Sequence, residues 1–285
     1  MFRQLADQAL LSYGLHFPQH RGKWRVVEAL YRHLGLAAWH TGEMREVERQ
    51  GVRWKLDPRR LVQRALYYLG VYEANETAWL LRQVRPEWVA LDVGANFGYY
   101  SLLLSRASGG SALVHAFEPE PTLHARLREH AELNRFANLH AHAFALSDTE
   151  GEFAFVSPAA GNEGVGHLLV SGAPATGTRR VPTLRLDDFV RRENLARVDF
   201  LKIDVEGAEG RVLAGARETL ARFRPKVLME VNPEALAGFG LTAPALLRTL
   251  RDLGYETYLP RHGGLRLLTG ADGIGEYVNV VGLPR

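Results

Sequence analysis

The chain has no cysteine in its 285 residues. That excludes a disulfide framework, a thiolate nucleophile and any cysteine-ligated metal. It also lacks an apolar run approaching the roughly 18 residues that a membrane-spanning helix needs. The first residues, Met1-Phe2-Arg3-Gln4-Leu5-Ala6-Asp7, do not follow the basic-then-apolar order of a secretory signal. From these absences we expect a cytoplasmic protein. No internal repeat or low-complexity tract interrupts the chain. A dominant charge sign is missing as well, since 35 Lys and Arg stand against 32 Asp and Glu, for a net +3 at pH 7. Arg3, Arg21, Lys23, Arg25 and Arg32 are interleaved with Trp24, Tyr31 and Trp39. Without a long basic block, that pattern reads as a solvated amphipathic face rather than a nucleic-acid surface.

What is present is an alternation of strand and helix. The length fits one large domain that buries about three quarters of its unfolded surface. From Trp88 onward we expect strands at 88–92, 112–117, 138–144, 198–204 and 226–231. Helices are expected at 99–107, 120–134, 208–222 and 243–253. This order predicts an α/β fold with a parallel sheet covered by helices on both faces. Two last strands, near 255–260 and 276–282, have only a Gly-rich connection between them and should be antiparallel. Upstream, residues 1–58 form an N-terminal extension, with a helix over 23–33 and strands or a hairpin over 47–56. Helices at 59–69 and 74–83 then open the main domain, 59–285. The interval 151–184 begins with a strand at 151–156 and continues into a segment rich in Gly, Ala, Ser and Pro, the composition of a functional loop or insertion.

The most telling segment is Leu91-Asp92-Val93-Gly94-Ala95-Asn96-Phe97-Gly98-Tyr99-Tyr100. A strand ends in an acid, a glycine turn follows, and a helix begins. Glycines there let a backbone approach a ligand and leave helix N–H groups free for an anion. A dinucleotide turn would carry a third glycine, but position 101 is Ser101. Its acid would also sit on the next strand, whereas here Asp92 precedes the turn. A further acid, Glu118, lies 26 positions after Asp92 at the end of the second strand. Pro119 stops that strand and aims Glu118 off the sheet edge. A carboxylate there can accept from both hydroxyls of a ribose. Acids on both strands suit a ligand with an ammonium at one end and a ribose at the other, such as S-adenosylmethionine. Later strand ends add Ser147-Asp148, Asp204-Val205-Glu206-Gly207 and Glu230-Val231-Asn232. Five strand-end acids on one edge indicate a binding cleft.

Together these motifs resemble the FkbM family of class I S-adenosylmethionine-dependent methyltransferases. The resemblance rests on the glycine turn, Phe117-Glu118-Pro119, Ala145-Leu146-Ser147-Asp148 with Gly151, and Leu201 to Glu209. Gly70-Val71-Tyr72-Glu73 and Glu276-Tyr277-Val278-Asn279 also match. It implies a Rossmann-like seven-stranded sheet with the last strand inserted antiparallel. It further implies methyl transfer to an oxygen of a small metabolite or sugar. By family position, Asp92, Gly94, Ala95, Asn96, Gly98 and Tyr99 would frame the methionine end of the cofactor. Glu118 with Pro119 would meet the ribose, and Ser147 with Asp148 would lie beside the adenine.

Transfer to an alcohol requires a base. Asp204 and Glu206 are the favoured catalytic residues, ahead of Glu230 and His167. A metal-assisted variant would use Asp204, Glu230 and Asn232 as oxygen ligands. The resemblance does not imply a metal, and none is assigned. Asn232-Pro233 lacks the aromatic residue of amino-group methyltransferase motifs, with Ala235 in its place, which argues against base methylation. A different class of reading is a cofactor-fold RNA-binding module without turnover. The expected partner is a small hydroxylated acceptor rather than a nucleic acid. Nothing in the sequence indicates the oligomeric state.

Overall fold

The computed structural model describes residues 2–18, 20, 22–156, 167–168, 178–270, 274 and 277–285. Most of the loop expected within 151–184 and Glu276 of the late motif therefore lie outside the described residues. The chain opens with helices α1 (Phe2–His16), α2 (Lys23–His33) and α3 (Leu36–Trp39). A hairpin of β1 (Arg45–Arg49) and β2 (Val52–Leu56) follows. Its two-residue turn, Gln50-Gly51, has φ of 55° and 70°, the left-handed pair that matches strand twist in a tight hairpin. Helices α4 (Leu61–Leu69) and α5 (Ala74–Gln83) lead into the main sheet.

That sheet is laid down by β3 (Val89–Val93), α6 (Tyr99–Ala107), β4 (Leu113–Phe117), α7 (Pro121–Asn134) and β5 (Leu139–His142). The chain then leaves it. A small second sheet contains β6 (Ala145–Ser147), β7 (Gly151–Val156), β8 (His167–Leu168) and β9 (Thr178–Arg185), in the order β6-β9-β7-β8. After α8 (Leu186–Arg192) the main sheet resumes with β10 (Phe200–Ile203), α9 (Glu209–Ala214), α10 (Arg217–Phe223) and β11 (Lys226–Val231). Helices α11 (Pro233–Gly238) and α12 (Ala243–Asp252) precede β12 (Tyr255–Arg261), β13 (Gly264–Leu267) and β14 (Val278–Pro284).

The order across the main sheet is β13-β12-β14-β11-β10-β3-β4-β5. Strands β3, β4, β5, β10 and β11 are parallel, and β14 slots between β11 and β12 antiparallel to both. The antiparallel insertion is as expected. The strand count is eight rather than seven, because the Gly-rich connection folds into β13 as an outer hairpin partner of β12. Two further corrections concern boundaries, and a third concerns a whole element. The expected strand 138–144 stops at His142, and Ala145–Ser147 pairs with β9 in the second sheet. The expected helix 208–222 is broken in two near Gly215, where a Cβ would stand 2.1 Å from the Ser147 carbonyl oxygen. Helix α1 had no counterpart among the expected elements.

Alternation along the buried strands divides the core by face. Ala90, Val114, Phe200 and Leu228 face one cluster, which also takes Leu10, Val27, Trp79, Leu102 and Leu127 from the N-terminal helices and from α5, α6 and α7. Leu91, Phe117, Leu201 and Met229 face the other, with Phe189, Val212, Leu220 and Leu246. Strands buried on both sides read as near-continuous apolar runs. The charged exceptions on these strands are therefore informative, and they collect at one end.

Candidate active site

The turn after β3 is fixed by its neighbours. Gly94 and Ala95 both donate backbone N–H bonds to the Phe117 carbonyl at the end of β4, at 3.0 Å each. Gly94 has φ of 80°, and a Cβ there would lie 1.8 Å from the Asp204 carbonyl oxygen. The turns after β3 and β10 thus touch backbone to backbone, which only glycine allows. Asn96 has φ of 54°, its N–H donates to Glu118 Oε2 at 2.8 Å, and its Oδ1 accepts from Phe97 N–H. Glu118 Oε1 accepts from Glu120 N–H at 2.8 Å. Each Glu118 oxygen is thus oriented by one backbone donor and keeps a further lone pair. Burial pushes the Glu118 carboxyl up to about 7, against the pull of those two bonds.

An open cleft of about 1000 Å³, counting the space at its mouth, lies across these strand ends. Gly94, Ala95, Asn96, Tyr99, Glu118 and Pro119 line it, together with Asp204 and Glu206. Gly98, in the left-handed region, caps the N-terminus of α6 just behind this wall. Asp92 also stands behind the wall. It is 1% exposed, accepts from Ser101 Oγ at 2.5 Å through Oδ2, and has no partner on Oδ1. Ser147 and Asp148 do not line the cleft, whose wall there is Ala145 and Leu146. Ser147 is fully buried, and Asp148 accepts from Ser147 Oγ and Arg211 Nη1. Both follow from β6 leaving the main sheet, which leaves four of the five expected acids, not five, at the ends of its strands.

The opposite wall carries a polar group that the sequence reading gave no role. Lys202 sits mid-strand in β10, beside Asp92 in register, and is 3% exposed. Its Nζ donates to Asp204 Oδ2 at 2.8 Å and lies 4.9 Å from the centre of the Tyr100 ring. Burial alone would lower the Lys202 ammonium, but Asp204, Asp92 and Glu73 together raise it. Glu73, just before α5, accepts from Tyr100 and Tyr277 hydroxyls and from Asn279 Nδ2. A lysine inside the apolar run Phe200-Leu201-Lys202-Ile203 was a visible signal, because an unpaired buried ammonium is very costly. The contacts of Glu73 with Tyr277 and Asn279, some two hundred residues on in sequence, join two segments that the family resemblance picked out without placing them together.

Glu206 has φ of 53° and reaches the cleft from the loop after β10. Burial first, then the Asp204 carboxylate, pushes its carboxyl up to about 8, and the same causes push Glu230 up to about 11. Glu209 is different. Its Oε1 accepts from Val205 and Gly207 N–H groups, so it braces the loop from the start of α9. Asn232 is also structural, with Oδ1 capping α11 through Glu234 and Ala235 N–H. It is accordingly committed elsewhere than to the ligand set considered from sequence. His167 enters the structure through its backbone, as part of β8 paired with β7.

The model of the Methyltransferase FkbM domain matches residues 92–257, more than half of the chain and all of these strand ends. The chain belongs to the FkbM methyltransferase family. Among curated proteins it is 30% identical over 223 residues to the AMB antimetabolite synthetase AmbE of Pseudomonas aeruginosa, covering 66% of this chain and 10% of that one. It is 29% identical to the 2-O-methyltransferase NoeI of Sinorhizobium fredii, over 62% of this chain and 76% of NoeI. It is 31% identical to the 31-O-demethyl-FK506 methyltransferase FkbM of Streptomyces tacrolimicus, over 48% of this chain and 62% of that one. The chain thus spans under two thirds of the length of two of these relatives. Within the FkbM family, the turn, Glu118 and the Asp204–Glu206 loop lie inside the matched region, whereas Glu73 and Asn279 lie outside it.

Proposed function

We propose that the cleft binds S-adenosylmethionine and directs its methyl group to a hydroxyl of a small acceptor. The observation that carries this reading is Glu118, a buried carboxylate on the cleft wall whose two oxygens are pre-aimed by backbone N–H groups. The donor set fits the cofactor. Glu118 can accept from a ribose diol, the adjoining wall of Phe117, Ala145, Leu146 and Phe155 is apolar, and the Gly94 turn permits close approach. Lys202 supplies fixed charge at the other end, with Asp92 behind it. Support for an oxygen acceptor comes from the names of two relatives, NoeI and FkbM of Streptomyces tacrolimicus, both of which specify O-methylation.

Bound there, S-adenosylmethionine supplies a methyl on a sulfonium, whose leaving group is a neutral thioether. The protein's part is to hold the acceptor oxygen in line and take its proton. Asp204 already accepts from the Lys202 ammonium, which holds it in place. Glu206 is the acid of the pair with no hydrogen-bond donor among the described residues, and we assign it the proton. Calorimetric titration with S-adenosylmethionine tests the reading, and no binding at about 1 mM would sink it. Glu118→Ala is expected to weaken that binding by about tenfold or more. Glu206→Ala should leave binding intact and lower turnover by roughly 10²-fold or more. Equal loss of cofactor affinity in both variants would show that Glu206 serves the cofactor instead.

A further inference from the structure

Asp204, Glu206 and Glu230 are brought together from the ends of β10 and β11, with one carboxylate oxygen of each within 4.8 Å of the others. Three carboxyls at that spacing cannot all carry charge unless a cation lies among them; without one they must hold protons, which is the state toward which Glu206 and Glu230 are pushed. Lys202 does not meet the need. Its ammonium is bonded to Asp204 Oδ2 and is shared with the field of Asp92 and Glu73. Four acids, Asp92, Asp204, Glu206 and Glu230, thus face one positive group.

A second observation points the same way. Glu230 is 5% exposed and lines the cleft, and its Oε2 is buried with no hydrogen-bond partner. Its strand neighbour in register, Asn279, directs its amide to Glu73 instead. A carboxylate oxygen taken out of water without a donor is costly, and such an atom in a native site calls for a ligand.

We propose that Asp204, Glu206 and Glu230 hold a divalent cation of the magnesium or manganese class on the acceptor side of the cleft. The donors are all hard oxygens, which suit these ions and not the softer metals that prefer sulfur or imidazole. Three protein oxygens leave positions for water or for hydroxyl oxygens of an acceptor, so the site would favour acceptors with neighbouring hydroxyls. This inference deepens the O-methyl-transfer reading and rests on it for the acceptor. The binding of the ion itself does not.

The test is a titration of the whole chain with manganese(II) alone, followed by calorimetry and by the electron paramagnetic resonance of the bound ion. One ion per chain is expected. Glu230→Gln and Glu206→Gln should each weaken it by about tenfold or more, while Glu132→Gln on the exposed face of α7 leaves it unchanged. Should Glu230→Gln fail to fold, Glu206→Gln, at a half-buried position, decides. No bound manganese at about 5 mM would overturn the proposal, as would affinity unchanged in both variants. Binding abolished by S-adenosylhomocysteine would overturn it too, because the acids would then serve the cofactor. Cofactor binding is measured without metal, so failure of the cation site and failure of the methyl-transfer reading give different results.

Discussion

At the scale of single residues, the site depends on one backbone contact. Gly94 meets the Asp204 carbonyl so closely that any side chain must push the turns after β3 and β10 apart. Gly94→Ala adds a left-handed strain of about 1–3 kcal/mol and a clash with backbone, which cannot rotate away. We expect the variant to melt lower and to lose cofactor affinity by about tenfold or more, because Ala95 and Asn96 move with the turn. Thermal melting and calorimetry check both; affinity retained at a lowered melting temperature would separate the turn from the cofactor site. The glycine itself was legible, since its spacing after Asp92 set the reading of the whole chain. Glu230 was legible as a strand-end acid, and Lys202 less so. Lys202 stands within an apolar strand, and only the sheet register shows that it shares the face of Ala90, Phe200 and Leu228 with Asp92 and Glu230.

At the scale of elements, the hairpin of β1 and β2 packs behind the turn. Trp54 of β2 is fully buried, its ring stacked 6.0 Å from Tyr99 and set edge-on to Phe97 and His130. The hairpin is also tied to α7, through Lys55 N–H to His130 Nε2 and Arg53 N–H to Asn134 Oδ1. Trp54→Ala is expected to cost about 3–5 kcal/mol, the range for a large aromatic removed from a core. It should also weaken cofactor binding, because Phe97 and Tyr99 lose the surface behind them. Denaturant unfolding and cofactor titration of the same variant test the two parts. Unchanged cofactor affinity in a protein that still folds would confine the hairpin to a stability role.

Element boundaries show where sequence reading stops. Helices α5 and α6 and strand β11 fall where apolar spacing and glycine punctuation place them, because local signals and tertiary packing agree there. The run from Leu139 to Ser147 carries one continuous strand pattern, yet it serves two sheets. Nothing local marks the bend after His142, since the partner that claims Ala145–Ser147 is β9, distant in sequence. The basic N-terminus was legible in part, since Arg3, Arg25 and Arg32 are exposed as a solvated face requires. Lys23 is buried with its Nζ on the Phe17 carbonyl, Tyr31 lies in the core under Arg64, and Arg64 pairs with Glu28. Lys23 and Arg64 are therefore spent on joining helices to one another.

At the scale of the whole molecule, α8 is held to the main sheet by an aromatic seam that titrates. His115 of β4 and His142 of β5 stack with ring centres 5.3 Å apart, His115 Nδ1 lies 3.0 Å from His142 Nε2, and Phe189 of α8 packs edge-on to both. Burial, then the neighbouring imidazoles, lowers His115 and His142 to about 4 from the ordinary 6.5. A histidine depressed in the folded state is neutral there. Its contribution is therefore fully present above pH 6.5 and is lost as the pH falls toward 4, where the unfolded chain takes protons that the folded one refuses. For the pair together this amounts to about 2–4 kcal/mol, since the rings share one environment. Carboxyls act in the opposite sense. Glu118 and Glu209, raised to about 7, favour the folded state as the pH falls through 7 toward 4.5. The wild-type curve therefore mixes two trends, and a difference measurement separates them. Replacing both rings, His115→Phe with His142→Phe, leaves the carboxyls alone and extends the seam already formed by Phe117, Phe144 and Phe189. Measured by denaturant unfolding at pH 7.5 and pH 5, the double variant is expected to lose less stability on acidification than the wild type, by up to about 2–3 kcal/mol. Equal losses in the two proteins would mean that the imidazoles take up protons without disturbing the seam, and the packing of α8 on the main sheet would then owe nothing to their neutrality.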